Sequence, residues 1–248
     1  MKKILSLSLA VLMLCASLAG CDKTPQTPAE TIPTEAVTTA PVADENYEEV
    51  YKEVLDSTYN LIATDDEKVA SSGETVILEA VARLEKEDAL GVVGYTFKDL
   101  NEDGFAELII ADVAENENSW YKTSEIFAIY TIAHDMPWLI AEGFARSSYR
   151  LLEDGTFFYE GSGGAAYTNV GNFRISQGGT SLICNEYYFT SPSADDPDTP
   201  EIYTNTLGKA DIDRSEKTDM TLADFENIRS DYESKAVSID LKPFSEYK

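Results

Sequence analysis

Asp99, Asn101, Asp103 and Glu107 put four oxygen-bearing side chains at odd positions of the stretch DLNEDGFAEL, Asp99 to Leu108. Alternate side chains of a tightly curled loop can all point at one centre. Oxygen donors at this spacing suit a hard cation such as calcium, with Asp99 as position 1, Asn101 as position 3 and Asp103 as position 5. Gly104 stands at position 6, where a sharp turn is needed. The Phe105 carbonyl falls at position 7, where calcium loops use a backbone oxygen, and Glu107 closes the shell. Asp, Asn and Gly also favour turns for backbone reasons alone. Three carboxylates in so short a loop repel one another unless a cation lies between them, and this favours Ca2+ as the expected cofactor.

The loop departs from an EF-hand, because Ile110 occupies position 12, where that motif needs Glu, and strand-like rather than helix-like segments flank it. It resembles instead the DxDxDGxxD/E loops of FG-GAP and VCBS-type repeats, which sit between strands and hold calcium. The wider stretch YTFKDLNEDGFAELII, Tyr95 to Ile110, is similar to a family of uncharacterised surface lipoproteins of anaerobic Gram-positive bacteria. That resemblance implies Asp99, Asn101, Asp103, Phe105 (through its carbonyl) and Glu107 as metal ligands. Asn101 replaces an Asp of the all-Asp version and lowers the site's charge, and a single copy stands where a propeller would repeat the loop.

The amino terminus carries an address. Lys2 and Lys3 precede an apolar run from Ile4 to Ala16, and LAGC follows at Leu18 to Cys21. A basic start and a short apolar run ending in small residues read as a secretion signal, residues 1–20. LAGC resembles the lipobox of bacterial lipoproteins, which implies that Cys21 becomes the lipidated first residue. Two acyl chains are enough for stable anchoring. Residues 24 to 43, TPQTPAETIPTEAVTTAPVA, hold six Thr, four Pro and no aromatic residue. Such a segment cannot bury a core, so residues 21–43 are expected as a lipidated tether spanning roughly 60 Å when extended. The expected location is extracytoplasmic, membrane-anchored through Cys21 and facing the cell wall.

Composition narrows the partners. The chain has 19 basic and 45 acidic residues and a formal charge of −26. Loss of Lys2 and Lys3 with the signal leaves 17 basic residues against 45, a charge of −28. No nucleic acid is expected as a partner of such a surface, and anionic lipid headgroups repel it too. Cys15 leaves with the signal and Cys21 carries lipid, so Cys184 has no intrachain partner and reads as a buried, inert thiol. His134, the single histidine, lies in the turn AHDMP and cannot build a histidine-rich zinc site. The Gly-rich stretch Glu160 to Asn169 lacks the Lys-Ser/Thr of a phosphate loop and reads as a strand connection. Asp195, Asp196 and Asp198 read as a solvated acidic loop, with a weak second cation as the sharper alternative.

The elements that must position these groups lie in residues 44–248, a normal size for one domain. YEEVYKEVLDSTYNLI and GETVILEAVARLEKED carry apolar residues at helical spacing. After Gly91 the period becomes two, through Val93, Tyr95 and Phe97 into the loop, and LIIADV leaves it. Further strand-like runs follow, with Asp154-Gly155 as a hairpin signal of the type that needs positive φ at both central residues. Thr221 with Asp224 resembles a capping box, Met220 and Phe225 stand at staple spacing, and Leu222, Phe225, Ile228 and Tyr232 form one helical face. AVSIDL reads as a closing strand. The fold expected is α+β, mostly β: an antiparallel β meander of propeller-blade-like sheets with two N-terminal helices and one C-terminal helix.

Trp120 and Tyr121, side by side among polar residues, are the candidate ligand-binding aromatics, against the plainer reading that they cap the core. Trp138, after Pro137 at a strand start, is expected in the core. The function expected is a non-catalytic binding or adhesion module for a cell-wall glycan or surface protein. The alternative is a hydrolase acting on cell-wall or environmental polysaccharide through a carboxylate pair. With 45 acidic residues, the sequence singles out no such pair.

Overall fold

A computed structural model describes residues 46–64, 72–82, 84–119, 121–144, 146–164, 166–193 and 199–248, apart from the side chains of 72–75. The signal, Cys21, the tether, Trp120 and Asp195, Asp196 and Asp198 lie outside the described residues. Among the described residues, eleven antiparallel strands make one large sheet, with five α-helices. The helices are α1 (Tyr47–Val50), α2 (Lys52–Ala63), α3 (Ser72–Val81), α4 (Lys86–Val92) and α5 (Leu222–Lys235). The first strands are β1 (Val93–Lys98), β2 (Glu107–Asp112), β3 (Ile126–Ala133) and β4 (Met136–Glu142). They are followed by β5 (Ser147–Leu151), β6 (Phe157–Gly164), β7 (Tyr167–Ile175), β8 (Leu182–Pro192), β9 (Pro200–Asn205), β10 (Glu216–Lys217) and β11 (Lys242–Pro243).

The sheet runs β10-β9-β8-β7-β6-β5-β3-β2-β1-β11, with β4 paired on β3 off this path. It is one continuous path rather than a set of separate blades. Each expected N-terminal helix is broken in two. α1 passes into α2 at Tyr51, a turn residue through which the helical bonds Tyr51 N–H to Tyr47 O (2.9 Å) and Leu55 N–H to Tyr51 O (3.0 Å) continue. The second helix ends at Val81 and restarts at Lys86, and this break lets α4 bury Ala89, Leu90 and Val92 on its own axis.

β2 is buried along its whole length, which explains its continuous apolar run. Leu108 and Ile110 face the helices, in a cluster with Tyr51, Leu55, Ile77, Tyr95 and Phe127. Ile109 and Ala111 face the other way and meet Phe157, Phe173, Tyr187 and Phe189 from β6 to β8. Side chains from β2 and β8 share one cluster because the twisted sheet curls on itself. It stays an open sheet with β10 and β11 at its ends. A third cluster joins Phe158, Val170 and Ile202 to Phe225 of α5.

The segment 236–241 is not a strand. Val237, Ile239 and Leu241 pack against the cluster under the curled sheet, and the pairing with β1 is made by β11, at Gly94↔Pro243 and Tyr95↔Lys242. The β5–β6 turn also differs from expectation. Only Gly155 has positive φ (81°), and Asp154 Oδ1 instead accepts from Thr156 N–H (3.0 Å) and Oγ1–H (2.7 Å). The turn with two positive φ values is His134 (53°) and Asp135 (61°), joining β3 to β4.

The capping box of α5 is formed. Thr221 Oγ1 accepts from Asp224 N–H (3.2 Å), and Asp224 Oδ2 accepts from Thr221 N–H (2.8 Å). Phe225 is buried and Met220, Ile228 and Tyr232 pack beside it, but Leu222, 48% exposed, lies off the apolar face. Thr221→Ala should cost about 1 kcal/mol in urea unfolding and Thr221→Ser much less; equal stability of all three chains would remove the cap's role.

Candidate metal site and ligand recess

β1 and β2 pair in register down to Lys98↔Glu107, so residues 99–106 form the connection at the hairpin's end. Gly104 takes φ 95° and Glu102 φ 59°, which curls the chain back within this short connection. The side chains hold the curl from inside. Asp99 Oδ1 accepts from Asp103 N–H (3.2 Å) and Oδ2 from Gly104 N–H (3.0 Å). Asn101 Oδ1 accepts from Asp103 N–H (3.1 Å), and Asp103 Oδ1 from Phe105 N–H (2.9 Å). Glu107 Oε2 accepts from Leu100 N–H at 2.9 Å, which draws the last acid of the motif back over its start.

Glu107 is fully buried, and its Oε1 has no hydrogen-bond partner. Burial pushes its carboxyl up to about 7; the Leu100 N–H works against this, and the nearby charges of Asp103 and Asp99 add to it. A buried carboxylate oxygen without a donor is costly, so a cation there would meet an unfilled demand. Asp103 Oδ2 accepts from Asn101 Nδ2 (2.9 Å), and these two atoms and Thr131 Oγ1 would each lie within 3.5 Å of a Cβ placed on Gly179. Asn101 Nδ2 also donates to Ser176 O (3.2 Å), so the β7–β8 turn sits against the loop. Among the described residues, no three His, Cys, Asp or Glu side chains cluster closely enough to hold a metal by themselves. Two of the expected ligands, Asn101 and the Phe105 carbonyl, are of other types; both Asp99 oxygens and Asp103 Oδ1 accept from backbone amides, and Asp103 Oδ2 accepts from Asn101 Nδ2 (2.9 Å).

Two tyrosines that the sequence marked only as a helix face clamp the loop's exit. Tyr51 O–H donates to Ala106 O (2.8 Å), and Tyr47 OH accepts from Ala106 N–H (3.2 Å). Both rings stack on Phe97 of β1, at 5.7 and 5.8 Å. Their four-residue spacing was the legible signal; the partner was not, since it lies more than fifty residues away.

A second group of acids sits at the other end of β2. Asp112, 2% exposed, accepts from Ser119 Oγ–H (2.5 Å), and burial pushes its carboxyl up to about 6. Glu125, also buried and raised by burial, faces Arg150 at 3.5 Å. Arg150 pairs in turn with Glu160 (3.5 Å), which Arg229 of α5 also holds (2.7 Å). Beside this chain of charges lies a recess of about 430 Å³, lined by Tyr121, Lys122, Thr123, Arg150 and Glu233. Tyr121 is half-buried, one side packed on the helix-side core.

Trp138 is 51% exposed rather than in the core, with its Nε1–H donating to Thr180 O at 3.2 Å. It stands on β4, which pairs with β3 off the main strand path. His134 is an exposed turn residue, as expected. Cys184 is free and partly buried, and burial raises its thiol. Comparison of the chain with protein-family models, with curated proteins and with solved structures returns no match.

Proposed function

We propose that this chain is a lipid-anchored, extracytoplasmic surface protein whose β-rich domain is stapled by calcium and serves as a non-catalytic binding module. The observation that carries the calcium reading is the buried, partnerless Oε1 of Glu107 beside the Asp99 and Asp103 charges. The ligand set is Asp99, Asn101, Asp103, the Phe105 carbonyl and Glu107, and the ion joins β1 to β2 rather than reacting. Of the likeness to propeller repeats we retain the loop and its two flanking strands. The address rests on the lipobox-like LAGC and the Thr/Pro tether, with Cys21 as the lipidated residue.

The recess beside Tyr121 is where a wall glycan would bind. A half-buried aromatic ring offers a face for a sugar, and Arg150, Glu233 and Thr123 offer hydrogen bonds to hydroxyls. A hydrolase would need two carboxylates facing one cleft. The Tyr121 recess presents Glu233 alone among its described lining residues, and the nearby Asp112 and Glu125 are buried and bonded inside the fold, so this recess does not supply such a pair.

The test is retention of the full chain on cell-wall fractions and a glycan array, with and without calcium. Retention should fall about tenfold in Tyr121→Ala, the loss of roughly 1.4 kcal/mol expected for a stacked ring. Membrane partitioning should be lost in Cys21→Ser. No retention on any wall or glycan probe, or equal retention by Tyr121→Ala, overturns the binding reading.

A further inference from the structure

The β1–β2 loop supplies too few oxygens to fill a calcium shell by itself. Asp99, Asn101, Asp103, the Phe105 carbonyl and Glu107 give one oxygen each, and Glu107 has only Oε1 free, since Oε2 accepts from Leu100 N–H. Calcium takes about six to eight oxygens. The remainder comes from water or from a part of the fold outside the loop, and one such part lies against it.

That part is the β7–β8 turn. Ser176 O accepts from Asn101 Nδ2 at 3.2 Å, across 75 residues of sequence, and Asp103 Oδ2 accepts from the same nitrogen at 2.9 Å. Two oxygens from remote segments thus share one partly positive group. Thr131 Oγ1 of β3 stands beside them. With Asp103 Oδ2 and Asn101 Nδ2 it makes up the three atoms nearest a Cβ placed on Gly179, at 3.1, 3.4 and 3.5 Å. Gly179 takes φ 71°, and its missing side chain leaves this small space open.

The turn is also held in place from its own side. Ser176 O accepts from Gly179 N–H (2.8 Å), and Ser176 N–H donates to Ser181 O (2.9 Å). Trp138, directly opposite Thr131 in the β3–β4 pair, donates from Nε1–H to Thr180 O (3.2 Å). On the loop's side, the fully buried Glu107 with its unpartnered Oε1 supplies the demand for a cation.

We propose that the Ser176 carbonyl and the Thr131 hydroxyl complete the calcium shell, so that the ion ties the β1–β2 loop to the β7–β8 turn. The inference rests on the calcium reading of the loop and extends its ligand set beyond the motif. It requires the Asn101 carboxamide to turn, so that Oδ1 rather than Nδ2 faces Asp103 Oδ2 and Ser176 O. A cation among these oxygens removes the repulsion that such a turn would otherwise create.

Hydrogen exchange of the full chain, with and without ten millimolar calcium, is the direct test. The amides of residues 176–181 should be slowed together with those of 99–107, by about 10- to 100-fold for a dissociation constant of order 10⁻³ to 10⁻⁴ M. Thr131→Val, which keeps the shape of the side chain, should weaken calcium in calorimetry by roughly tenfold, the low end of what loss of a group around a metal costs. Thr131→Ser, which restores the hydroxyl, should bind as the parent chain does. If calcium slows 99–107 and leaves 176–181 unchanged, or if Thr131→Val binds as tightly as the wild type, the loop holds the ion without the turn: this proposal falls and the calcium reading stands. If the wild-type chain binds no calcium, both fall.

Discussion

Ten millimolar calcium should raise the melting temperature of this chain by about 3–10 °C, and Asp103→Ala should remove the rise. Extracellular calcium modules bind with dissociation constants of order 10⁻⁴ to 10⁻³ M. At that concentration, linkage stabilises the folded state by about 1.4–2.7 kcal/mol, and each kcal/mol is worth about 2–4 °C in a domain of this size. Asp103→Ala also removes the acceptor of the 2.9 Å bond from Phe105 N–H, so its metal-free stability should fall as well. Asp103→Asn separates the two effects. Its amide oxygen can still accept that bond, but its NH2 replaces the oxygen that accepts from Asn101 Nδ2 (2.9 Å), so the metal-free melting temperature should fall less than in Asp103→Ala while most of the calcium response goes. Absence of any rise in the wild-type chain, or an undiminished rise in Asp103→Asn, would sink the metal reading.

Asp112→Asn should change the pH dependence of stability by about 3 kcal/mol. Burial displaces the Asp112 carboxyl from 3.8 to about 6, which corresponds to roughly 3 kcal/mol. The folded value lies above the unfolded one. The contribution of Asp112 is therefore fully present below pH 3.8 and is lost as pH rises through about 6. Asparagine carries no charge at any pH and escapes this loss, while its oxygen can still accept from Ser119 Oγ–H. Its extra N–H groups need partners, which costs about 1–3 kcal/mol at every pH and cancels in the comparison. Removing the charge also relieves Glu125, whose carboxyl Asp112 helps to raise. Urea unfolding at pH 4 and pH 8 is the measurement. The stability difference between variant and wild type should move in the variant's favour by about 2.5 kcal/mol from pH 4 to pH 8, since pH 4 already lies just above the unfolded value. An equal difference at both values would show that the Asp112 carboxylate is not held at a buried, uncompensated position.

The features that the sequence alone determined are those whose causes lie within a few residues. Thr221 and Asp224 meet because they are three apart on one turn, so the cap of α5 was legible. Asp99, Asn101, Asp103 and Gly104 curl the β1–β2 connection through bonds spanning two to five residues. The alternation of Val93, Tyr95 and Phe97 and the apolar run of β2 announced strands buried on one face or both. Hairpin turns were visible as turns, but their type was not. His134-Asp135 carries the two positive φ values that Asp154-Gly155 was expected to carry, because the pairing of the flanking strands sets the twist that a turn must match.

Tertiary structure decided everything that depends on distant partners. Glu107 became a buried acid with one oxygen unpaired because β2 is covered on both faces, a fact no local pattern encodes. Tyr47 and Tyr51 clamp Ala106 across the helix–sheet interface. β4 left the main strand path and kept Trp138 exposed, although Pro137 and Trp138 read as the start of a core strand. An extra residue at Ile140, between the pairs Ile129↔Ala141 and Tyr130↔Leu139, put Leu139 and Glu142 of β4 on one face, since a strand's two-residue period reverses whenever one residue drops out of register. Local chemistry writes caps, turns and loops into the chain; which face is covered, and by what, emerges only when strands remote in sequence close one curled sheet.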